Sequence, residues 1–228
     1  MNKVSPNYPG LQHQPGKSEH WGRLRQSIRA FMRSQFGCPS GMWGEIVGNL
    51  MAYAPSNQER IAWTIAQLEL RPSDRVLEVG FGPGYAVKEA HKLLPHGFIA
   101  GVDHSEVMVR QAIKRNAVAI HEGKVDLRLG SVSNLPSYDE PFDKIFTINS
   151  IHFWADPVAR LKELHKVLKP SGLIAVALQP RSRGSTCETT VIIGKELALN
   201  LENAGFKMIR LEFKPAKPAP IVCVLGSR

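Results

Sequence analysis

The run Val76-Leu-Glu-Val-Gly-Phe-Gly-Pro-Gly-Tyr85 restricts what this chain can fold into more than any other segment. Val76, Leu77, Glu78 and Val79 have strand character, Gly80, Gly82 and Gly84 alternate, and residues 86–94 have helical composition. A strand that turns into a helix through glycines brings backbone N–H groups close to a ligand, because no Cβ stands in the way. Several nucleotide-binding folds share that turn. The dinucleotide fingerprint puts its third glycine one place later, where Tyr85 stands here, and the P-loop needs a Gly-Lys-Ser/Thr that does not follow.

The segments after the run alternate in period. Strand patterns over residues 98–103, 125–129, 142–148 and 173–178 are separated by helical patterns over 105–120 and 157–168. Ser105 is placed to cap the first of these helices. A further helix over 194–203 ends at Gly205, and strands follow over 206–213 and 221–225. The link between those last strands, Lys214 to Pro220, is too short for a helical crossover, so they pair antiparallel. This order predicts an α/β fold, a Rossmann-like doubly wound seven-stranded sheet, mostly parallel with an antiparallel C-terminal strand.

Ahead of the sheet, Ser56-Asn-Gln-Glu59 has the spacing of a capping box, which starts a helix running to about Leu70. Residues 1–55 read as N-terminal helices forming an extension or lid, and 56–228 as the main domain. Over 20–36, Trp21, Leu24, Ile28, Phe31 and Met32 share one helical face, with Arg23, Arg25, Arg29 and Arg33 on the remainder.

The chain has 228 residues, 43% of them hydrophobic, enough to bury one good core. No apolar run reaches the roughly twenty residues that span a bilayer. Cys38, Cys187 and Cys223 are scattered and odd in number, which suits neither a disulfide framework nor a zinc knuckle and fits a reducing cytoplasm. No metal site is expected. The formal charge of +9 is spread along the chain rather than gathered in a block. Nucleic acid is therefore an unlikely partner, while the basic helix over 20–36 suits peripheral contact with anionic lipid.

An acidic residue two places before Gly-x-Gly-x-Gly resembles motif I of the class I S-adenosylmethionine-dependent methyltransferases. Later segments resemble the same family in order: Gly101-Val-Asp103-His-Ser105 with Met108, Gly130-Ser-Val-Ser-Asn-Leu-Pro136, Ile151-His-Phe-Trp-Ala-Asp-Pro157, and Leu161 through Gly172. The feel is that of the small-molecule and quinone branch. The resemblance implies S-adenosylmethionine as methyl donor and S-adenosylhomocysteine as product. It implies that Gly80, Gly82, Pro83 and Gly84 line the methionine part, and that Asp103 takes the ribose hydroxyls. His104 and Met108 would flank the adenine, although Met108 also suits helix packing. Glu78 either organises the loop or meets the cofactor amine through its neighbours. Ser131 stands where the family commonly has an acid for the adenine amino group, leaving that contact to its hydroxyl or to the N–H of Val132. Asn149 suits the methionine moiety or the substrate.

The implied reaction is in-line displacement at a sulfonium methyl, for which orientation and water exclusion suffice unless the acceptor arrives protonated. His152 and His104 are the candidate bases, His152 the first of them. No Asn/Asp-Pro-Pro-Tyr/Phe motif follows the fourth strand, which disfavours methylation of adenine or glutamine nitrogen. Trp43, Tyr53 and Arg181 are the candidate substrate residues: the aromatics from the lid, the arginine, with Arg183, as a partner for carboxylate or phosphate. The leading expectation is a methyltransferase acting on a small-molecule acceptor at O, S or N. Alternatives are an acceptor in a membrane lipid, quinone or nucleic acid, and a non-catalytic cofactor-binding protein. Oligomeric state is not encoded in any of these motifs.

Overall fold

Alternation within the strands decides which side of the sheet each residue faces. The structure, a computed structural model, describes residues 55–228. Apart from Pro55, the expected lid, with Trp43, Tyr53 and the basic helix over 20–36, lies outside the described residues. The chain runs α1 (Pro55–Gln67), β1 (Arg75–Val79), α2 (Tyr85–His91), β2 (Phe98–Asp103), α3 (Glu106–Arg115), α4 (Ala117–His121) and β3 (Val125–Leu129). It continues with β4 (Phe142–Ile148), a 3-10 turn (Ile151–Phe153), α5 (Pro157–Val167), β5 (Leu168–Leu178), α6 (Cys187–Asn203), β6 (Lys207–Lys214) and β7 (Ile221–Ser227).

The strands form one seven-stranded sheet in the order β3-β2-β1-β4-β5-β7-β6. Only β7 is antiparallel to its neighbours, β5 and β6. The fold is thus the doubly wound sheet expected. Leu77, Val79, Ile174 and Val176 face one core with Leu161 and Leu164 of α5 and Leu197 and Leu201 of α6. Val76, Ala175 and Ala177 face the other, with Ile61 and Ile65 of α1 and Val87 and Ala90 of α2. The chain winds outward from β1 on one side and from β4 on the other. That adjacent pair is the switch point, and its carboxyl end is where open α/β sheets bind ligands.

Several boundaries differ from expectation, β5 beginning at Leu168 and α1 ending at Gln67 among them, and three have local reasons. Pro55 already lies in the first turn of α1, a position its fixed φ favours, so Ser56 and Glu59 do not form a capping box. Their side chains turn to Arg181 and Lys214 instead. The helix expected over 105–120 breaks at Asn116, whose φ of −109° and ψ of 16° leave the helical region. And α6 begins seven residues before the expected Gly194, because Thr186 and Thr189 form a reciprocal capping box that outweighs the β-branched run behind them. By contrast, Ser105 caps α3 through the N–H of Met108, and Gly205 ends α6 at φ 98°, both as the sequence indicates.

Candidate functional site

The glycine run leaves β1 and forms the loop ahead of α2. Gly80 has φ 77°, and a Cβ there would lie 2.3 Å from Ser150 Oγ, so only glycine lets the exits of β1 and β4 meet this closely. Gly82, at φ 53°, has nothing within 4 Å of its would-be Cβ. One glycine is filled by the protein; the other faces open space.

The loop is held from behind. Arg115 Nη1 donates to the Pro83 carbonyl, and Asn116 Nδ2 donates to the Gly84 carbonyl at 3.1 Å and to Ala112 O at 2.8 Å. Asn116 is buried, and this pair of hydrogen bonds explains why the α3–α4 break falls on it. Tying two loop carbonyls to the α3 end commits the peptides to one orientation. Neither Arg115 nor Asn116 was marked by the sequence motifs.

Asp103 ends β2 beside this loop and is 6% exposed. Its Oδ2 accepts from Gly82 N–H at 2.8 Å and its Oδ1 from Ser105 N–H at 2.9 Å. Each oxygen keeps a second lone pair, so the carboxylate is fixed yet still able to accept two hydroxyls. His104 is exposed, its Nδ1 3.8 Å from Asp103 Oδ1, and Met108 is half-buried on the first turn of α3. Glu78, 2% exposed, shares the strand face of Val76 toward α2. Burial, then the charge of Asp103, push its carboxyl up to about 8 against the pull of the Val87 backbone N–H. Its Oε2 has no partner.

Those features fit the methionine and ribose of S-adenosylmethionine. An orphaned, buried carboxylate oxygen suits a cationic amine, open space at Gly82 suits close backbone approach, and a fixed carboxylate suits a diol. The contribution of Ser131 is more local: its Oγ accepts from Ser133 N–H at 3.0 Å within the loop after β3, while Val132 is buried in the core.

On the other side of the switch point, Asn149 follows β4 at φ 53°. Its Oδ1 accepts from Gln179 N–H at 2.9 Å, joining the exits of β4 and β5 and leaving Nδ2 as the free donor. His152 lies on the 3-10 turn, its ring 3.9 Å from that of Phe153. Burial lowers it to about 4, and its Nδ1 is buried without a partner. At neutral pH it is an uncharged imidazole. Arg181 is exposed just past β5 and donates to Ser56 Oγ at 3.4 Å. Sequence motifs missed Arg60 of α1, which is 3% exposed and reaches the same rim.

Residues 76–172 match the family model of a methyltransferase domain. The "uncharacterized methyltransferase YdaC" of Bacillus subtilis is 33% identical over 183 residues, spanning 80% of this chain and 98% of that one. A demethylmenaquinone methyltransferase of Symbiobacterium thermophilum is 33% identical over 122 residues, 52% of this chain and 49% of its own length. Among solved structures, the plantazolicin methyltransferase BpumL, in complex with a pentazolic desmethylPZN analog and S-adenosylhomocysteine, superposes with a TM-score of 0.67. It is 16% identical, covers 92% of this chain and 99% of its own, and so speaks for the fold alone.

Proposed function

The chain belongs to the class I S-adenosylmethionine-dependent methyltransferases, and from that premise we propose that it methylates a small-molecule acceptor at an O, S or N nucleophile. The observation that carries this reading is the polar rim beside the glycine loop. Asn149 Nδ2 and the uncharged ring of His152, whose Nδ1 is buried without a partner, place two neutral polar groups within four residues of β4's exit. A pair of that size suits a single functional group. The demethylmenaquinone methyltransferase similar to this chain is named for an individual organic compound.

When bound, S-adenosylmethionine would supply a sulfonium methyl: the acceptor's lone pair would form the new bond to carbon as the C–S bond breaks with its electrons kept by sulfur, leaving S-adenosylhomocysteine, and an O–H, S–H or N–H acceptor would give its proton to water. The protein's share is placement. Asp103 would take the ribose hydroxyls, Glu78 would answer the amine, and Gly80, Gly82, Pro83 and Gly84 would shape the loop around the methionine part. His104 and Met108 would flank the adenine, with the Ser131 hydroxyl or the Val132 N–H near its edge. A pKa of about 4 makes His152 too weak a base to hold a proton at pH 7, so its role is to accept the hydrogen bond that orients the nucleophile. On this reading, excluding water from the acceptor would fall to residues 1–55, with Trp43 and Tyr53, which apart from Pro55 lie outside the described residues.

Cytoplasmic action goes with this reading, since Cys187 and Cys223 are free thiols. No described helix is long and apolar enough to cross a membrane. The similarity to a demethylmenaquinone methyltransferase favours, as a second reading, an acceptor held at a lipid surface.

Incubating the full chain with methyl-labelled donor and a panel of phenols, thiols, amines and quinols separates the two. Label on a water-soluble acceptor without vesicles supports the first reading. Label that appears only with anionic liposomes, or only on added nucleic acid, contradicts it.

A further inference from the structure

The first turns of α1 carry positive charge that no described carboxylate balances. Arg60 Nη1 donates to Gln179 Oε1 at 2.6 Å, and its Nη2 to Asn57 Oδ1. Both partners are neutral amides. Its Nε is buried with no partner at all. Glu59, the adjacent acid, is turned away to Lys214 at 3.1 Å. Beside Arg60 stands a second guanidinium. Arg181 bonds Ser56, one helical turn before Arg60, and among the causes that lower Arg60 to about 10 its charge ranks second, after burial.

A buried cation without a counter-ion is costly, and a like charge beside it adds to the cost. The scaffold nevertheless holds Arg60 firmly. Gln179 Nε2 donates to Lys217 O at 3.1 Å and Ala219 O at 2.9 Å, and its backbone N–H to Asn149 Oδ1 at 2.9 Å. Gln179, through its side-chain amide and its backbone N–H, thus ties Arg60 to the exit of β4, the exit of β5 and the entry to β7. This is a preorganised fork at the carboxyl end of the sheet, on the acceptor side of the switch point. Paired guanidiniums match the planar, two-oxygen face of carboxylate and phosphate.

We infer that Arg60 and Arg181 form an anion subsite that receives a carboxylate or phosphate group of the methyl acceptor. The inference rests on the methyltransferase reading and names its substrate class as anionic. The reacting nucleophile is a different atom of the same molecule, placed by Asn149 and His152 while the anion is held at the rim.

The test uses the full chain saturated with S-adenosylhomocysteine, titrated by calorimetry with benzoate and phenyl phosphate, and with benzamide and benzyl alcohol as neutral counterparts. At least one anion binds and the neutral compounds do not. Arg181→Gln, at an exposed position that tolerates substitution, weakens the anion about tenfold or more, while its affinity for S-adenosylhomocysteine stays within about twofold. Arg60→Lys, which keeps the charge and loses the fork, also weakens the anion.

Three results overturn the subsite. One is an absence of anion binding, meaning the pair is balanced from within the chain. Another is an equal response from wild type and Arg181→Gln. The third is a matching loss of S-adenosylhomocysteine affinity in Arg181→Gln, which assigns the pair to the cofactor's own carboxylate. Failure of the wild-type chain to bind S-adenosylhomocysteine is a separate outcome, and it removes the methyltransferase reading together with the subsite.

Discussion

The two sides of the switch point are built differently. On the β1–β2 side, charges are answered close by: Asp103 holds Gly82 and Ser105, and Arg115 and Asn116 hold the loop carbonyls of Pro83 and Gly84. On the β4–β5 side, the central contact joins Arg60 to Gln179 across 119 positions, and Arg60 and Arg181 remain without a carboxylate among the described residues. The first side is held by hydrogen bonds of its own. The second is a rigid frame with charge left over, as expected of a site that waits for a partner of its own. The exception on the first side is Glu78, whose buried oxygen has no partner.

The sharpest way to break this contrast is at the glycines. Gly80→Ala forces a Cβ to 2.3 Å from Ser150 Oγ at φ 77°, and the expected outcome is loss of S-adenosylhomocysteine binding by calorimetry together with about 2–4 kcal/mol of stability in denaturant melts. Gly82→Ala meets no protein atom within 4 Å, so it costs only the left-handed strain, about 1–2 kcal/mol, while still weakening the ligand. Equal stability losses in the two variants would mean that Gly82 is packed like Gly80.

Glu78 gives the next effect. Its folded pKa is raised to about 8 from 4.5, so its contribution to stability is full below pH 4.5 and is lost as pH rises through 8. At about 1.4 kcal/mol per pH unit the loss amounts to a few kcal/mol across that window. Arrival of a cationic amine lowers that pKa and releases a proton. Calorimetry of S-adenosylhomocysteine binding at pH 7 in buffers of different ionisation enthalpy detects the release, and Glu78→Gln abolishes it. A buffer-independent enthalpy in the wild type would place the amine elsewhere.

Smaller still is Asn116→Ala, which removes two hydrogen bonds and is expected to cost about 1–3 kcal/mol by thermal or denaturant melting. Arg181→Gln, on the open side, is expected to change the stability of the unliganded protein by less than about 0.5 kcal/mol. A large destabilisation there would show Arg181 to be structural glue rather than a waiting charge.

That asymmetry also governed what could be read from the sequence. The strand-to-helix turn, Asp103 and the order of motifs are local signals, and the loop they predicted is the loop observed. The short link from Lys214 to Pro220 was enough to make β7 antiparallel to β6. Asn116 was harder, because its helix break depends on the Gly84 carbonyl, 32 positions earlier. Arg60 was invisible: within its segment it reads as one more polar residue of an amphipathic helix, and only the fold carries Gln179 to it. The capping box at Ser56 was a true local pattern, but Pro55 took the first turn and freed Ser56 for Arg181. Local chemistry thus marked the β1–β2 loop and single residues of the β4–β5 side, while the link from Arg60 to Gln179 arises only in the folded sheet.

The central claim is that the loop after β1 and the carboxylate at the end of β2 hold the methyl donor. It is tested most directly by calorimetry of S-adenosylhomocysteine on the wild-type protein and on Asp103→Ala, with melting curves to confirm that the variant is folded. The account predicts binding by the wild type and a loss of about 100-fold in the variant, the worth of two hydrogen bonds to a charged group. Equal affinity in the two proteins would contradict it.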